Sequence, residues 1–164
     1  MANVRLARLD DAEKMSAVLA ASWKSAYRGI VDDEYLDLLK DDHWIGFLTS
    51  GIAGRYIIAM VLEENHLIVG SAILGETQTE GEIHLISFYL SPDKIGKGLG
   101  SIFYGEIENE ILERGYDKCI LDVLVNNERA IRFYERQGFS ATGAETPVAL
   151  GSRDYTCIVM EKTW

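Results

Sequence analysis

Apolar and polar positions change period several times along the chain, and each change marks a new element. Val4–Leu9 alternates, the period of a half-buried strand. Beyond Asp10 and Asp11, either of which can cap a helix, Met15, Val18, Leu19, Ser22, Trp23 and Ala26 recur at the spacing of one helical face. A second, short helix fits Asp33–Lys40. Arg55–Glu63 and Leu67–Glu76 are apolar, β-branched runs parted by Glu64-Asn65-His66, and together they read as a hairpin. In Glu82–Ser91 both parities are apolar, Ile86, Phe88 and Leu90 on one and Ile83, Leu85 and Tyr89 on the other. That is the pattern of a strand covered on both faces, with Glu82 and His84 as polar exceptions.

From Gly98 to Arg114 the period lengthens again, with Leu99, Ile102, Phe103, Ile107 and Ile111 forming a helical stripe that Gly115 stops. Cys119–Val125 reads as a buried strand, and Asn127 can cap a helix carrying Ala130, Ile131, Phe133 and Tyr134 before Gly138 ends it. Strands near Phe139–Glu145 and Asp154–Glu161 finish the chain. The order β-αα-βββ-α-β-α-ββ predicts an α+β fold, a mixed and mostly antiparallel sheet of about seven strands with helices on both faces. No repeat, linker or low-complexity tract interrupts it, so residues 1–164 are expected to form one domain.

Charge narrows the range of partners. Sixteen basic against 26 acidic residues give a net charge of −10, the wrong sign for a phosphate-backbone binder, so no nucleic acid is expected as a partner. The uncharged runs Trp44–Gly54 and Asn65–Gly75 fall short of the ~18–20 apolar residues of a membrane helix. Arg5, Arg8, Asp10, Asp11, Glu13 and Lys14 stand where a secretory signal places an apolar core. The expectation is a cytoplasmic protein with no membrane partner. Cys119 and Cys157, without CxxC or metal-type spacing, read as free buried thiols.

The segment richest in chemistry is Ser91-Pro92-Asp93-Lys94-Ile95-Gly96-Lys97-Gly98-Leu99-Gly100-Ser101, between a buried strand and an amphipathic helix. Where a strand delivers the chain into a helix, unpaired N–H groups and the positive end of the helix dipole can hold a phosphate. Lys97 adds a point charge nearby. A P-loop needs Ser or Thr after Gly-Lys, and Gly96-Lys97 is followed by Gly98. A dinucleotide fingerprint needs GxGxxG after a first strand, whereas here GxGxG follows the fourth.

A second segment decides between the remaining readings. Asn127, Ala130, Tyr134, Gly138 and Phe139 follow the next strand as N-x-x-A-x-x-x-Y-x-x-x-G-F. With the Q/R-x-x-G-x-G/A pattern of the glycine loop, this resembles the coenzyme A signature of the GCN5-related N-acetyltransferases (GNAT family). One position departs: Ile95 stands where the pattern has Gln or Arg. The resemblance implies the acyl-CoA N-acyltransferase fold, acetyl-CoA as co-substrate, and direct attack by a primary amine with no metal. It implies a coenzyme site made by Tyr89 and Leu90, by Ile95, Gly96, Lys97, Gly98, Leu99, Gly100 and Ser101, and by Asn127, Ala130 and Tyr134. The backbone N–H of Leu90 matches the donor to the thioester carbonyl, and Lys94 or Lys97 is the substitute for the missing side chain at Ile95. Tyr134 matches the general acid that protonates the coenzyme A sulfur. Where the family often has a glutamate base, this chain has His84, and Glu82 projects from the same face two residues earlier.

Trp23, Tyr27 and Arg28, in the run Trp-x-x-x-Tyr-Arg-Gly-Ile, resemble the segment bordering the acceptor site in many bacterial members. An acidic surface suits a cationic acceptor such as a polyamine, while a protein N-terminus, a lysine or an aminoglycoside fits the same chemistry. The last two strands often form dimer contacts in this family, which makes a homodimer compatible with the resemblance. Two other readings stand beside the enzyme: a non-catalytic acyl-CoA sensor of the same fold, and a nucleotide-binding regulator that uses the glycine loop alone.

Overall fold

The computed structural model describes residues 1–164. Seven strands form one sheet, β1 (Ala2–Leu6), β2 (Ile58–Glu64), β3 (Leu67–Glu76), β4 (Glu82–Leu90), β5 (Lys118–Leu124), β6 (Ser140–Leu150) and β7 (Arg153–Thr163), in the order β1-β2-β3-β4-β5-β7-β6. All neighbours are antiparallel except β4 and β5. The helices are α1 (Ala12–Ala26), α2 (Asp33–Asp37), α3 (Ile45–Gly54), α4 (Leu99–Glu113) and α5 (Glu128–Arg136).

Two apolar layers sandwich the sheet. On one face the α4 stripe of Phe103, Ile107 and Ile111 packs with Tyr134 of α5 on Leu74, Ile83, Leu85 and Leu121. Each such buried side chain contributes about 1.5–3 kcal/mol. On the other face Ala12, Met15 and Leu19 of α1 meet Leu48 of α3 over Ala59, Val61 and Ile73. A third cluster, with Tyr27, Val31, Leu36 and Leu39, carries α2 across to Leu124 and Cys157. The expected mixed sheet with helices on both faces is therefore the fold observed.

Some boundaries differ, each for a physical reason. The first strand ends at Leu6 rather than Leu9, and Leu9–Asp11 is a turn of 3₁₀ helix. Asp11 does not cap α1 with its side chain, because that carboxylate accepts the Arg8 N–H at 2.7 Å and the Arg5 guanidinium at 2.7 and 3.1 Å. Ala26, placed on the buried face by periodicity, is exposed. The helix predicted to Lys40 is helical over Asp33–Asp37. The α3 helix was hidden by Gly46, Gly51 and Gly54, which read as breakers. Gly51 is needed because a Cβ there would lie 2.5 Å from Ile57 Cδ1. The β2–β3 hairpin turns on Asn65 and His66, both at positive φ (52° and 66°), a left-handed pair whose twist suits a two-residue turn.

The largest departure lies in β4. Ser87 pairs with Ile73 but Leu85 pairs with Leu74, so Ile86 is an extra residue and side-chain parity switches there. Ile83 and Leu85 therefore share the α4 layer with Phe88, which lies 5.3 Å from Phe103 and stacks 5.4 Å from Phe133. Tyr89 lies on the other face against Trp23 and Tyr27. The two sets predicted by simple alternation are both split, and Ile86 itself is 45% exposed.

Candidate active site

The two parallel strands stay together only briefly. Glu82, Ile83 and His84 pair with Lys118, Cys119 and Ile120, and beyond that point β4 and β5 separate. On its far side β5 remains paired with β7 along its full length. The separation opens a cleft of about 550 Å³ through the sheet, lined by residues from β4, β5, α1, α5 and the glycine loop.

Hydrogen-bond phase shows what β4 offers to this cleft. Ser91 N–H donates to Val69 O at 2.8 Å, in a register that places Gly70 opposite Leu90. Bonded pairs alternate with unbonded ones in an antiparallel ladder, so Leu90 and Phe88 direct their N–H groups away from β3 and toward the gap. The Leu90 C=O, facing the same way, accepts the Ser22 hydroxyl at 2.6 Å and ties α1 to the cleft wall. Phe88 was not singled out from the sequence, and only the ladder phase reveals its N–H as an equivalent of that of Leu90.

Beyond β4 the chain turns through Pro92–Lys94 into the glycine loop. Gly96 and Gly98 have φ of +80° and +79°, and a Cβ at either would meet nothing within 4 Å. Their role is conformational, turning successive N–H groups toward open space at the head of α4, where Gly98 is the N-cap. Gly100 is different, since a Cβ there would lie 3.2 Å from Phe133. Ile95, Gly96, Gly98, Gly100 and Ser101 line the cleft, while the Leu99 side chain is buried in the core. Ser101 Oγ accepts a hydrogen bond from Gln137 Nε2 at 3.2 Å. Lys94, one of the two lysines expected to replace the side chain missing at Ile95, is instead engaged by Glu64. Lys97 is exposed. Arg129 and Arg136 of α5 also line the cleft and supply positive charge that the sequence reading did not identify. Asn127 caps α5, its Oδ1 accepting the Ala130 N–H at 3.3 Å. Backbone donors at a helix N-terminus, beside two arginines and an extended slot with free N–H groups, fit a phosphorylated, thioester-bearing coenzyme.

Three phenols converge where the cleft crosses the sheet. Tyr134 lines it, and burial pushes the phenol pKa upward, so the hydroxyl stays protonated. Tyr27 and Tyr89 place their hydroxyl oxygens 2.5 Å apart, and burial raises both. Trp23 packs edge-on against Tyr27 with ring centroids 4.8 Å apart. Arg28 behaves differently from its neighbours: its exposed guanidinium reaches Asp33 and Asp37 at 3.2 and 3.0 Å, and it is absent from the cleft lining.

The two candidate bases also part company. The Glu82 carboxylate takes Lys118 Nζ at 3.2 Å and the Thr77 hydroxyl at 3.0 Å, at the closed end of the strand pair. Glu82 is therefore engaged elsewhere and outside the cleft. His84 does not itself line the cleft, but its Nε2 lies 3.0 Å from Asp122 Oδ2, and Asp122 does. The other Asp122 oxygen accepts the Thr146 hydroxyl from β6 at 3.0 Å. Asp122 escaped the sequence reading, where it was one polar residue within an otherwise apolar strand. No group of three or more His, Cys, Asp or Glu side chains is placed to hold a metal ion, and no helix is long and apolar enough to cross a membrane.

Known proteins share this fold. A spermidine N(1)-acetyltransferase of Thermoplasma acidophilum is 25% identical over 146 residues, covering 83% of this chain and 86% of its own. The crystal structure of the PaiA N-acetyltransferase from Thermoplasma acidophilum in complex with coenzyme A superposes with a TM-score of 0.80 at 22% identity, over 100% of this chain and 99% of that one. A ribosomal-protein-alanine N-acetyltransferase from Brucella melitensis superposes with a TM-score of 0.77 at 20% identity, over 99% of both chains. The sequence pattern of the acetyltransferase (GNAT) family matches residues 16–139. The chain belongs to that family and is an acetyl-CoA-dependent acetyltransferase.

Proposed function

We propose that the protein acetylates a primary amine by direct attack, with no covalent enzyme intermediate. Acetyl-CoA supplies the activated acetyl group as a thioester. The free N–H groups of Phe88 and Leu90 receive the acyl carbonyl oxygen and the arm that carries it, and they are already aligned before the reaction begins. The head of α4, with Gly96, Gly98 and Gly100, takes the pyrophosphate. Asp122 draws the acceptor ammonium into the cleft, and the His84–Asp122 pair removes its proton so that the nitrogen lone pair can attack. As the C–S bond breaks, Tyr134 donates its hydroxyl proton to the departing sulfur, and the second proton lost by the acylated nitrogen restores the phenol.

The observation that carries this reading is the gap between β4 and β5, with unpaired N–H groups on one wall and Tyr134 and Asp122 on the other. A cationic acceptor finds support in the net charge of −10 and in the spermidine-acetylating relative. A cytoplasmic location goes with this chemistry and with two unpaired cysteines. Ile95, which lacks the polar side chain of the family pattern, leaves the pyrophosphate to the backbone donors and to Arg129 and Arg136, and does not favour a non-catalytic sensor over the enzyme.

Calorimetric titration with acetyl-CoA, followed by a primary-amine panel read by release of free CoA thiol, tests this. Micromolar binding, about −8 kcal/mol, with amine-dependent thiol release supports it. Binding without release from any amine overturns the primary-amine acceptor.

A further inference from the structure

A second pocket adjoins the cleft at the β4 bulge. It holds about 240 Å³ on the α1–α3 side of the sheet, and four aromatic rings wall it: Trp23, Trp44, Phe47 and Tyr89. Ile86, Ser87 and Tyr89 line both this pocket and the cleft, so the two spaces share a wall at the extra residue of β4. Phe47 and Ile86, 48% and 45% exposed, are large apolar side chains left open to solvent at this site. The Ser87 hydroxyl at the junction is buried and has no hydrogen-bond partner.

Volume and charge together narrow what can sit there. An apolar cavity of about 150 Å³ takes up benzene, so this one has room for a substituted ring. No carboxylate lines the pocket, and in the cleft the carboxylates are Asp122 and Glu128. Glu128 stands in the first turn of α5, 3.9 Å from Arg132, which leaves Asp122 as the anion nearest the acceptor side. A linear polycation needs successive anions along its length, and the path from Asp122 into this pocket offers aromatic faces instead.

We infer that the acceptor is a primary amine with one positive charge and one apolar group of aromatic-ring size, the ammonium at Asp122 and the apolar group among Trp23, Trp44, Phe47 and Tyr89. This rests on the amine-acetylating reading above and names its substrate class. The aromatic pocket is then the specificity determinant, since it discriminates by what it buries rather than by the reacting nitrogen.

The test compares phenethylamine, n-butylamine and spermidine, by kcat/KM with saturating acetyl-CoA and by direct titration into the CoA-loaded enzyme. Phenethylamine is expected to exceed both others by about tenfold or more in kcat/KM, mostly through KM. Phe47→Ala, at a half-exposed site, lowers kcat/KM for phenethylamine about three- to tenfold and for n-butylamine, which fills less of the pocket, by about twofold at most. Equal or better use of n-butylamine or spermidine, or equal effects of Phe47→Ala on all amines, overturns the inference while leaving the acetyltransferase reading intact. If no amine is acetylated, titration decides: tighter binding of phenethylamine than of n-butylamine, weakened by Phe47→Ala, upholds the pocket and removes the catalytic reading. Equal binding removes the pocket.

Discussion

Tyr27, at the end of α1, and Tyr89, near the end of β4, share one short hydrogen bond of 2.5 Å between their hydroxyl oxygens. Two phenols carry two protons, and the contact uses only one of them, so the pair retains a donor beside the cleft. Removing either hydroxyl leaves the other without its partner in a buried place, which costs about 1–3 kcal/mol. Tyr27→Phe and Tyr89→Phe are expected to lower Tm by about 2–4 °C per kcal/mol lost, measured by thermal unfolding at neutral pH. The pH dependence has a definite sign. Burial raises both phenols, so their contribution is full below the ordinary phenol pKa near 10 and declines as pH rises above it. Either variant is therefore less stable than the parent at neutral pH and has a shallower further loss of stability on the alkaline side.

Tyr134→Phe removes only an oxygen from a ring that packs against Phe88 and Phe139, at centroid distances of 6.4 and 5.8 Å. The expected result is a fall in kcat of about 10²-fold with acetyl-CoA affinity unchanged, since proton donation is lost and the packing is kept. Single-turnover kinetics beside a calorimetric titration separates the two quantities. An unaltered kcat would remove Tyr134 from the role of acid.

His84 and Glu82 are distinguished by their partners. His84→Gln is expected to lower kcat/KM about 10²-fold with acetyl-CoA affinity kept, because the proton acceptor beside Asp122 is lost. Asp122→Asn removes the anion that faces the ammonium and raises KM for the amine. Glu82→Gln leaves kcat/KM in place and acts on stability through the loss of its Lys118 contact. A larger loss of kcat/KM in Glu82→Gln than in His84→Gln would reverse the assignment.

Arg5 bridges Asp11 and Glu63, joining β1, the turn before α1, and β2. Its guanidinium holds both carboxyl groups below their usual range. Groups depressed in the folded state stabilise it above the ordinary carboxylate pKa of about 4, and that stabilisation is lost as pH falls through and below this range. Asp11→Asn is expected to cost about 1–3 kcal/mol at pH 7, where it breaks charge-assisted bonds at a residue only 8% exposed. Urea unfolding at pH 7 and pH 3 should show this deficit shrinking at the lower pH.

What could be read from the chain depended on whether each feature was local. The glycine loop, the Asn127 cap and the strand–helix alternation are set by residues close in sequence, and the structure retains them. The α3 helix was not legible because its glycines signal a break, and only the approach of Ile57 shows why Gly51 belongs inside a helix. Asp122 and its contacts with His84 and Thr146 join three strands, and no spacing in the sequence announces them. Arg28 illustrates the reverse error. Its place beside Tyr27 suggested the acceptor site, but Asp33 and Asp37 on the next helix hold it away.

His84 and Tyr89 are five residues apart, an odd number, and in an unbroken strand they would lie on opposite sides of the sheet. They share a side only because Ile86 adds half a period between them. Deleting any one residue between His84 and Tyr89 would restore plain alternation and exile one of the two from the acceptor side. The number of residues in this stretch of β4 is thus a firmer requirement than the identity of the extra one, and natural variation here should replace Ile86 before it removes it.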